Sequence, residues 1–115
     1  MKYDAKKGDK IHVIMRRQFE EDIRRHFIGE VLEAGGCVAL VEGYVFVFIV
    51  GVNEFVKKTG KRKRIVSLVD SRNNINIISE DAEIDNVKYM LKDKQIVVTD
   101  EKSFELDIHE FGSYR

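Results

Sequence analysis

Apolar and polar residues alternate with period two over most of this chain, and glycines punctuate the alternation. KIHVIM (10–15) places Ile11, Val13 and Met15 on one face and predicts a first strand, with Gly8-Asp9 as a turn before it. FIGEVLE (27–33), CVALV (37–41) and YVFVFIVGV (44–52) read as further strands, with turns at Ala34-Gly35-Gly36 and Glu42-Gly43. EFVKK (54–58) and KRKRIVSLVD (61–70) read as the arms of a β-hairpin turned by Thr59-Gly60. INIIS (75–79), VKYML (87–91), QIVVTD (95–100) and SFELDIHEF (103–111) complete the series, with a turn at Lys92-Asp93-Lys94.

Two segments carry helical spacing instead. In QFEEDIRRHF (18–27), Phe19, Ile23 and Phe27 recur every fourth residue, and Glu20 and Glu21 precede Arg24 and Arg25 by four. That predicts a short helix or helical turn. Ser79, followed by Glu80, Asp81 and Glu83, predicts one helical turn before the VKYML strand.

Eight or nine short strands with tight turns predict an all-β, mainly antiparallel fold. It is either a small β-barrel of SH3 or Sm-like type or a two-layer sandwich, with one or two short helical turns. The expected organisation is a loose leader over 1–7, one β domain over 8–111 and a tail over 112–115.

The strand YVFVFIVGV is apolar on both faces. Tyr44, Phe46, Phe48 and Val50 share one face, and Val45, Val47 and Ile49 the other. A strand with one wet face should alternate. Either it is a central sandwich strand or the closing strand of a barrel, or another chain covers one face. The second reading makes Tyr44, Phe46, Phe48 and Val50 an interface, because such side chains are an aggregation hazard in water.

The chain has 115 residues, 43% of them apolar and 35% charged, which suits one folded domain. Prolines are absent, so strand edges are guarded by charge, covered, or paired with another chain. The single cysteine, Cys37, excludes an intrachain disulfide and is expected to be a small core residue. With no apolar region near the start and no run of roughly 20 apolar residues, the expectation is a cytoplasmic protein without a membrane span. Net charge is zero, but residues 1–72 carry 15 cations against 10 anions, and residues 73–115 carry 5 against 10.

The stretch KKTGKRKR concentrates that positive charge. Lys57, Lys58, Lys61, Arg62, Lys63 and Arg64 are either the wet end of the hairpin or a contact for nucleic acid or an acidic partner. Arg16, Arg17, Arg24 and Arg25 would enlarge the patch if the fold brings them near. No aromatic residue lies within the stretch to stack on a base.

Catalytic motifs are missing: no GxSxG, GxxxxGK[ST], GxGxxG or HExxH occurs. His12, His26 and His109 do not pair at metal-ligand spacing. The expectation is no enzyme, no cofactor, no metal and no small-molecule substrate.

IHVIM followed by FIGEVLEAGGCVAL resembles the first motif of Sm-like proteins, small bent barrels that form rings on RNA. Gly29 between Phe27 and Val31, then a turn and another strand, carries the resemblance over residues 11–40. The family's acidic residue and its Asn would fall near Ala34–Gly35 and at Ala39, and its late Arg-Gly pair is absent. The resemblance therefore implies barrel geometry and ring-forming edges, and it transfers no RNA-reading residue.

The pattern as a whole predicts a non-enzymatic protein-interaction module, a homo-oligomeric adaptor or assembly factor for a larger complex. The alternative is a nucleic-acid-binding barrel that uses the basic 57–64 hairpin.

Overall fold

The structure, a computed structural model, describes residues 5–17, 19 and 21–108. Nine strands follow in order: β1 (Lys10–Met15), β2 (Arg25–Gly35), β3 (Val38–Ile49), β4 (Glu54–Lys57), β5 (Arg62–Ser67), β6 (Asn73–Ile78), β7 (Lys88–Lys92), β8 (Gln95–Thr99) and β9 (Glu105–Asp107). A single 3-10 turn, Ile84–Asn86, precedes β7. Every pairing is antiparallel. The first sheet runs β4-β3-β2-β1-β6 with β5 also beside β3, and the second runs β7-β8-β9.

The all-β expectation holds, and the two-layer form is the one adopted. The first sheet does not close into a barrel. Its outer strands β5 and β6 share no ladder, although they meet at one corner, where the Asn73 side chain donates to the Ser67 carbonyl at 3.1 Å. The sheet must therefore curl strongly. Its inner face confirms the curl: Ile11, Val13, Phe27, Val31, Ala39, Val41, Val45 and Val66 form one core drawn from this sheet alone. The other face holds Ile28 and Phe46, which pack under the second sheet with Val87, Val98 and Ile108. Burying each such side chain contributes about 1.5–3 kcal/mol.

Several local expectations are corrected. Glu42-Gly43 is not a turn, because β3 runs straight through it. Gly43 faces Gly29 across the ladder, and a Cβ on Gly43 would lie 1.8 Å from the Ile28 carbonyl oxygen. Glycine is needed there for close approach of two backbones rather than for reversal.

Thr59-Gly60 does not turn a hairpin either. β4 pairs with Phe46–Ile49 and β5 with Val38–Gly43, both antiparallel to β3 on the same edge. The chain keeps its direction, and residues 58–61 bulge outward around Gly60 (φ +98°). The Lys58 N–H still donates to the Val45 carbonyl at 2.9 Å, so the bulge is flanked by ladder bonds on both sides. A Gly between two apolar runs has the same sequence signature in a bulge as in a turn.

No helix forms over 18–27 among the described residues. The Asp22 N–H bonds the Phe19 carbonyl in a turn, and Arg25–Phe27 already belong to β2. A helix this short needs tertiary docking, and Phe27, which would anchor it, is taken into the sheet core. The turn predicted after Ser79 occurs slightly later, at Ile84–Asn86, and the β7–β8 hairpin follows as expected. Cys37 is exposed in the β2–β3 turn and is not a core residue. The ends of the predicted leader and last strand, residues 1–4 and 109–111, and the tail over 112–115 lie outside the described residues.

Candidate interaction surfaces

Of the four residues predicted as an interface, three are covered by the chain itself. Phe46 is 2% exposed, with its ring 4.8 Å from that of Tyr89 on β7, and Phe48 is 4% exposed, 5.2 Å from Phe55. The half-buried Tyr44 donates its hydroxyl to Asp85 Oδ1 of the 3-10 turn at 2.7 Å. Val50 is exposed, but it sits in the β3–β4 turn and not on that face. Of the two alternatives for this face, a central strand or cover by another chain, the first accounts for Phe46 and Phe48: β7 covers Phe46 and Phe55 of β4 packs on Phe48.

The cover reaches only half of β3. Toward its N-terminal end the same face carries Val38, Leu40 and Glu42. Leu40 lies between Glu33 of β2 and Ile65 of β5, and Glu42 between Glu30 and Lys63. Ile65 is 75% exposed and Val38 43%. Glu33, Ala34, Gly35, Val38, Leu40 and Ile65 line a shallow hollow of about 310 Å³. The strip thus has Glu30 and Glu33 on its β2 side, Val38, Leu40 and Glu42 along β3, and Lys63 and Ile65 on its β5 side.

The six cations of 57–64 have different fates. Lys61 pairs with Asp85 Oδ1 at 3.2 Å, and Lys57 donates to the Asp85 carbonyl at 2.9 Å while lying 3.9 Å from the centre of the Tyr44 ring. Those two lysines hold the bulge to the 3-10 turn. The hydrogen bond from Tyr44, then that from Lys61, keeps the Asp85 carboxyl below its ordinary range. Arg62 donates to the Thr59 carbonyl at 3.4 Å, and Arg64 lies 6.0 Å from the Phe27 ring. Lys58, Lys63 and Arg64 are exposed.

A polar chain lies in the first sheet where the second sheet covers it. His12 (0% exposed) and His26 (2%) are held there with Tyr89 and Asn76. The Asn76 amide nitrogen is 3.2 Å from His12 Nδ1, and His12 Nε2 is 3.0 Å from Tyr89 Oη. Tyr89 Oη is in turn 2.6 Å from His26 Nδ1, which also lies 3.1 Å from His12 Nε2. The four side chains form one continuous hydrogen-bonded chain in which each ring nitrogen named has a partner, whichever tautomer each ring adopts. Burial pushes the His12 imidazole down to about 4. Burial, then the neighbouring His12 and Arg24 charges, pushes His26 lower still. Both rings are neutral at physiological pH.

Sequence reasoning did not bring these histidines together. They are 14 residues apart, but β1 pairs with β2 so that His12 faces Ile28 and His26 faces Ile14, one diagonal step away. The available signal was that a strand buried on both faces leaves its polar positions dry.

Among the described residues no group of three or more His, Cys, Asp or Glu side chains is arranged to hold a metal ion, and no helix is long and apolar enough to cross a membrane. No family model, curated protein or solved structure matches this chain.

Proposed function

We propose that this chain is a non-enzymatic protein-interaction module that works as a homo-oligomer, of the kind that serves as an adaptor or assembly factor. The observation that carries the reading is the uncovered half of β3, where Val38, Leu40 and Ile65 present an apolar strip between Glu33 and Lys63. Such a strip is self-complementary. A two-fold axis running along β3 sets Glu30 of one copy over Lys63 of the other and brings the two Val38–Leu40 segments into contact, with each Glu42 beside a Lys63. Among the described residues β4, β6 and β7 each pair with one strand only, which leaves room for further partners, and the chain has no proline to block an edge.

Nucleic-acid binding along 57–64 has less support, because Lys57 and Lys61 are engaged by Asp85. Sedimentation of the purified protein over a concentration series tests the reading. The wild type is expected to dimerise, and Ile65→Glu is expected to be monomeric with an unchanged circular dichroism spectrum. A wild type that stays monomeric at high concentration sinks the proposal.

A further inference from the structure

His12 and His26 are the most deeply buried titratable side chains among the described residues, and they lie where the second sheet covers the first. The two rings meet edge to face with centres 4.9 Å apart. Tyr89 of β7 bonds both of them from the second sheet. Asn76 of β6 meets His12, Phe55 of β4 lies 4.5 Å from the His26 ring, and Phe46 of β3 lies against Tyr89. The charged groups that act on the pair are each ring's own partner, once protonated, and Arg24 at the entry to β2. Among the described residues no carboxylate acts on either ring.

This cluster has no place for a proton. His12 Nε2 and His26 Nδ1 face each other at 3.1 Å. In either fully bonded tautomer arrangement, one of these nitrogens carries a hydrogen and the other accepts. A proton on the accepting nitrogen sets two N–H groups against each other. The cation so formed is buried near Arg24 with no counter-charge, and water reaches it only if the cover moves.

We propose that the second sheet is an acid-operated flap: proton uptake by His12 and His26 lifts β7-β8-β9 off the first sheet, which stays folded. The two sheets are built for this separation. The inner core of the first sheet is drawn from that sheet alone, on the face away from the histidines. Val98 of β8, in contrast, is buried against Ile28 and Phe46 of the first sheet, and lifting uncovers both. Asp85 holds Tyr44, Lys57 and Lys61 from the turn before β7, and its carboxyl, kept below its ordinary range, stays ionised in mild acid. That attachment is the hinge. The flap does not draw on the β3–β5 strip, so it and self-association fail separately.

While docked, the rings stay neutral in mild acid, because burial holds His12 down to about 4 and His26 lower. Once lifted, each takes a proton near pH ~6.5. Lifting therefore binds two protons, and its equilibrium constant rises about a thousandfold between pH 7.5 and 5.0.

Native-state amide exchange on the wild type, converted to opening constants at pH 7.5, 6.0 and 5.0, tests this. Amides of β8, the middle strand of the second sheet, report lifting, and those of β2 report loss of the first sheet. β8 is expected to open more readily than β2 at each pH, with a constant that rises about a thousandfold over the series. His12→Gln leaves one titrating ring and is expected to cut that rise to about thirtyfold. If it does not fold, His26→Gln replaces it, and if neither folds the wild-type series decides. Equal opening constants in β8 and β2 overturn the proposal, because the sheets then part only in global unfolding. A β8 constant that does not change with pH, or a full thousandfold rise in the variant, overturns it as well.

Discussion

The hydroxyl of Tyr89 on β7 lies 2.6 Å from Nδ1 of His26 on β2, and this bond ties the second sheet to the first through the interior. Tyr89 also stacks on Phe55 with ring centres 4.5 Å apart. Its ring and its hydroxyl therefore make separable contributions. Tyr89→Phe keeps the ring and removes the hydroxyl that bonds both His26 and His12. Leaving buried polar atoms unpaired costs about 1–3 kcal/mol, so the unfolding free energy should fall by that amount, read as a lower urea midpoint at an unchanged m-value. No loss would mean that the network contributes nothing to stability.

Acid should weaken the fold before its carboxylates titrate. In the unfolded chain each histidine takes a proton near pH 6.5, but in the folded chain His12 resists until about pH 4 and His26 to lower pH. The unfolded state then binds more protons throughout that window. Stability is full above about pH 6.5 and falls as the pH drops toward 4, by about 3 kcal/mol from His12 alone. Denaturation curves at pH 7.5, 6.0, 5.0 and 4.5 check this. A flat profile across that range would count against two buried neutral imidazoles.

Gly43 and Gly35 should respond oppositely to alanine. A Cβ at Gly43 would meet the Ile28 carbonyl oxygen at 1.8 Å and Gly29 Cα at 2.5 Å, both backbone, so the strands must separate. A Cβ at Gly35 meets nothing within 4 Å. Gly43→Ala is expected to cost more than about 3 kcal/mol or to prevent folding, and Gly35→Ala to stay within about 0.5 kcal/mol of wild type. Thermal melts of the two variants decide it, and equal stabilities would refute the close approach.

Phe46 and Ile65 lie on the same face of the sheet, yet they should behave as different kinds of residue. Phe46→Ala opens a cavity under the second sheet and should cost about 3–5 kcal/mol. Ile65→Ala removes an exposed side chain and should leave the monomer's stability nearly unchanged while weakening self-association. Chemical denaturation at low protein concentration, set beside sedimentation, separates the two effects. A large stability loss from Ile65→Ala would place that residue in the core and end its role as a contact.

Much of the strand plan was legible in the chain. β1, the β7–β8 hairpin with its turn at 93–94, and a helical turn just before β7 all stand close to where the alternation puts them. The candidate surfaces were less legible. KKTGKRKR is conspicuous in sequence, but Asp85, more than twenty residues away, takes up two of its lysines. The arginines at 16, 17 and 24 look like half of a helix face and its approach. They line one cavity because no helix forms among the described residues there, and β1 and β2 pair side by side.

Periodicity and composition by themselves determined that this protein is built of antiparallel strands, and that the 44–49 part of β3 is apolar on both faces. Both properties are local: alternation sets which side chains share a face, and the apolar content of each face sets whether it can stay wet. The tertiary structure decided what does the burying. One face of β3 lies inside the curl of its own sheet, and half of the other lies under β7-β8-β9. It also decided whether a glycine reverses the chain, bulges it or admits a facing backbone, and which distant polar groups meet. Those outcomes depend on strand order and curvature, which arise from contacts between residues far apart in sequence and leave no mark on the spacing of neighbours.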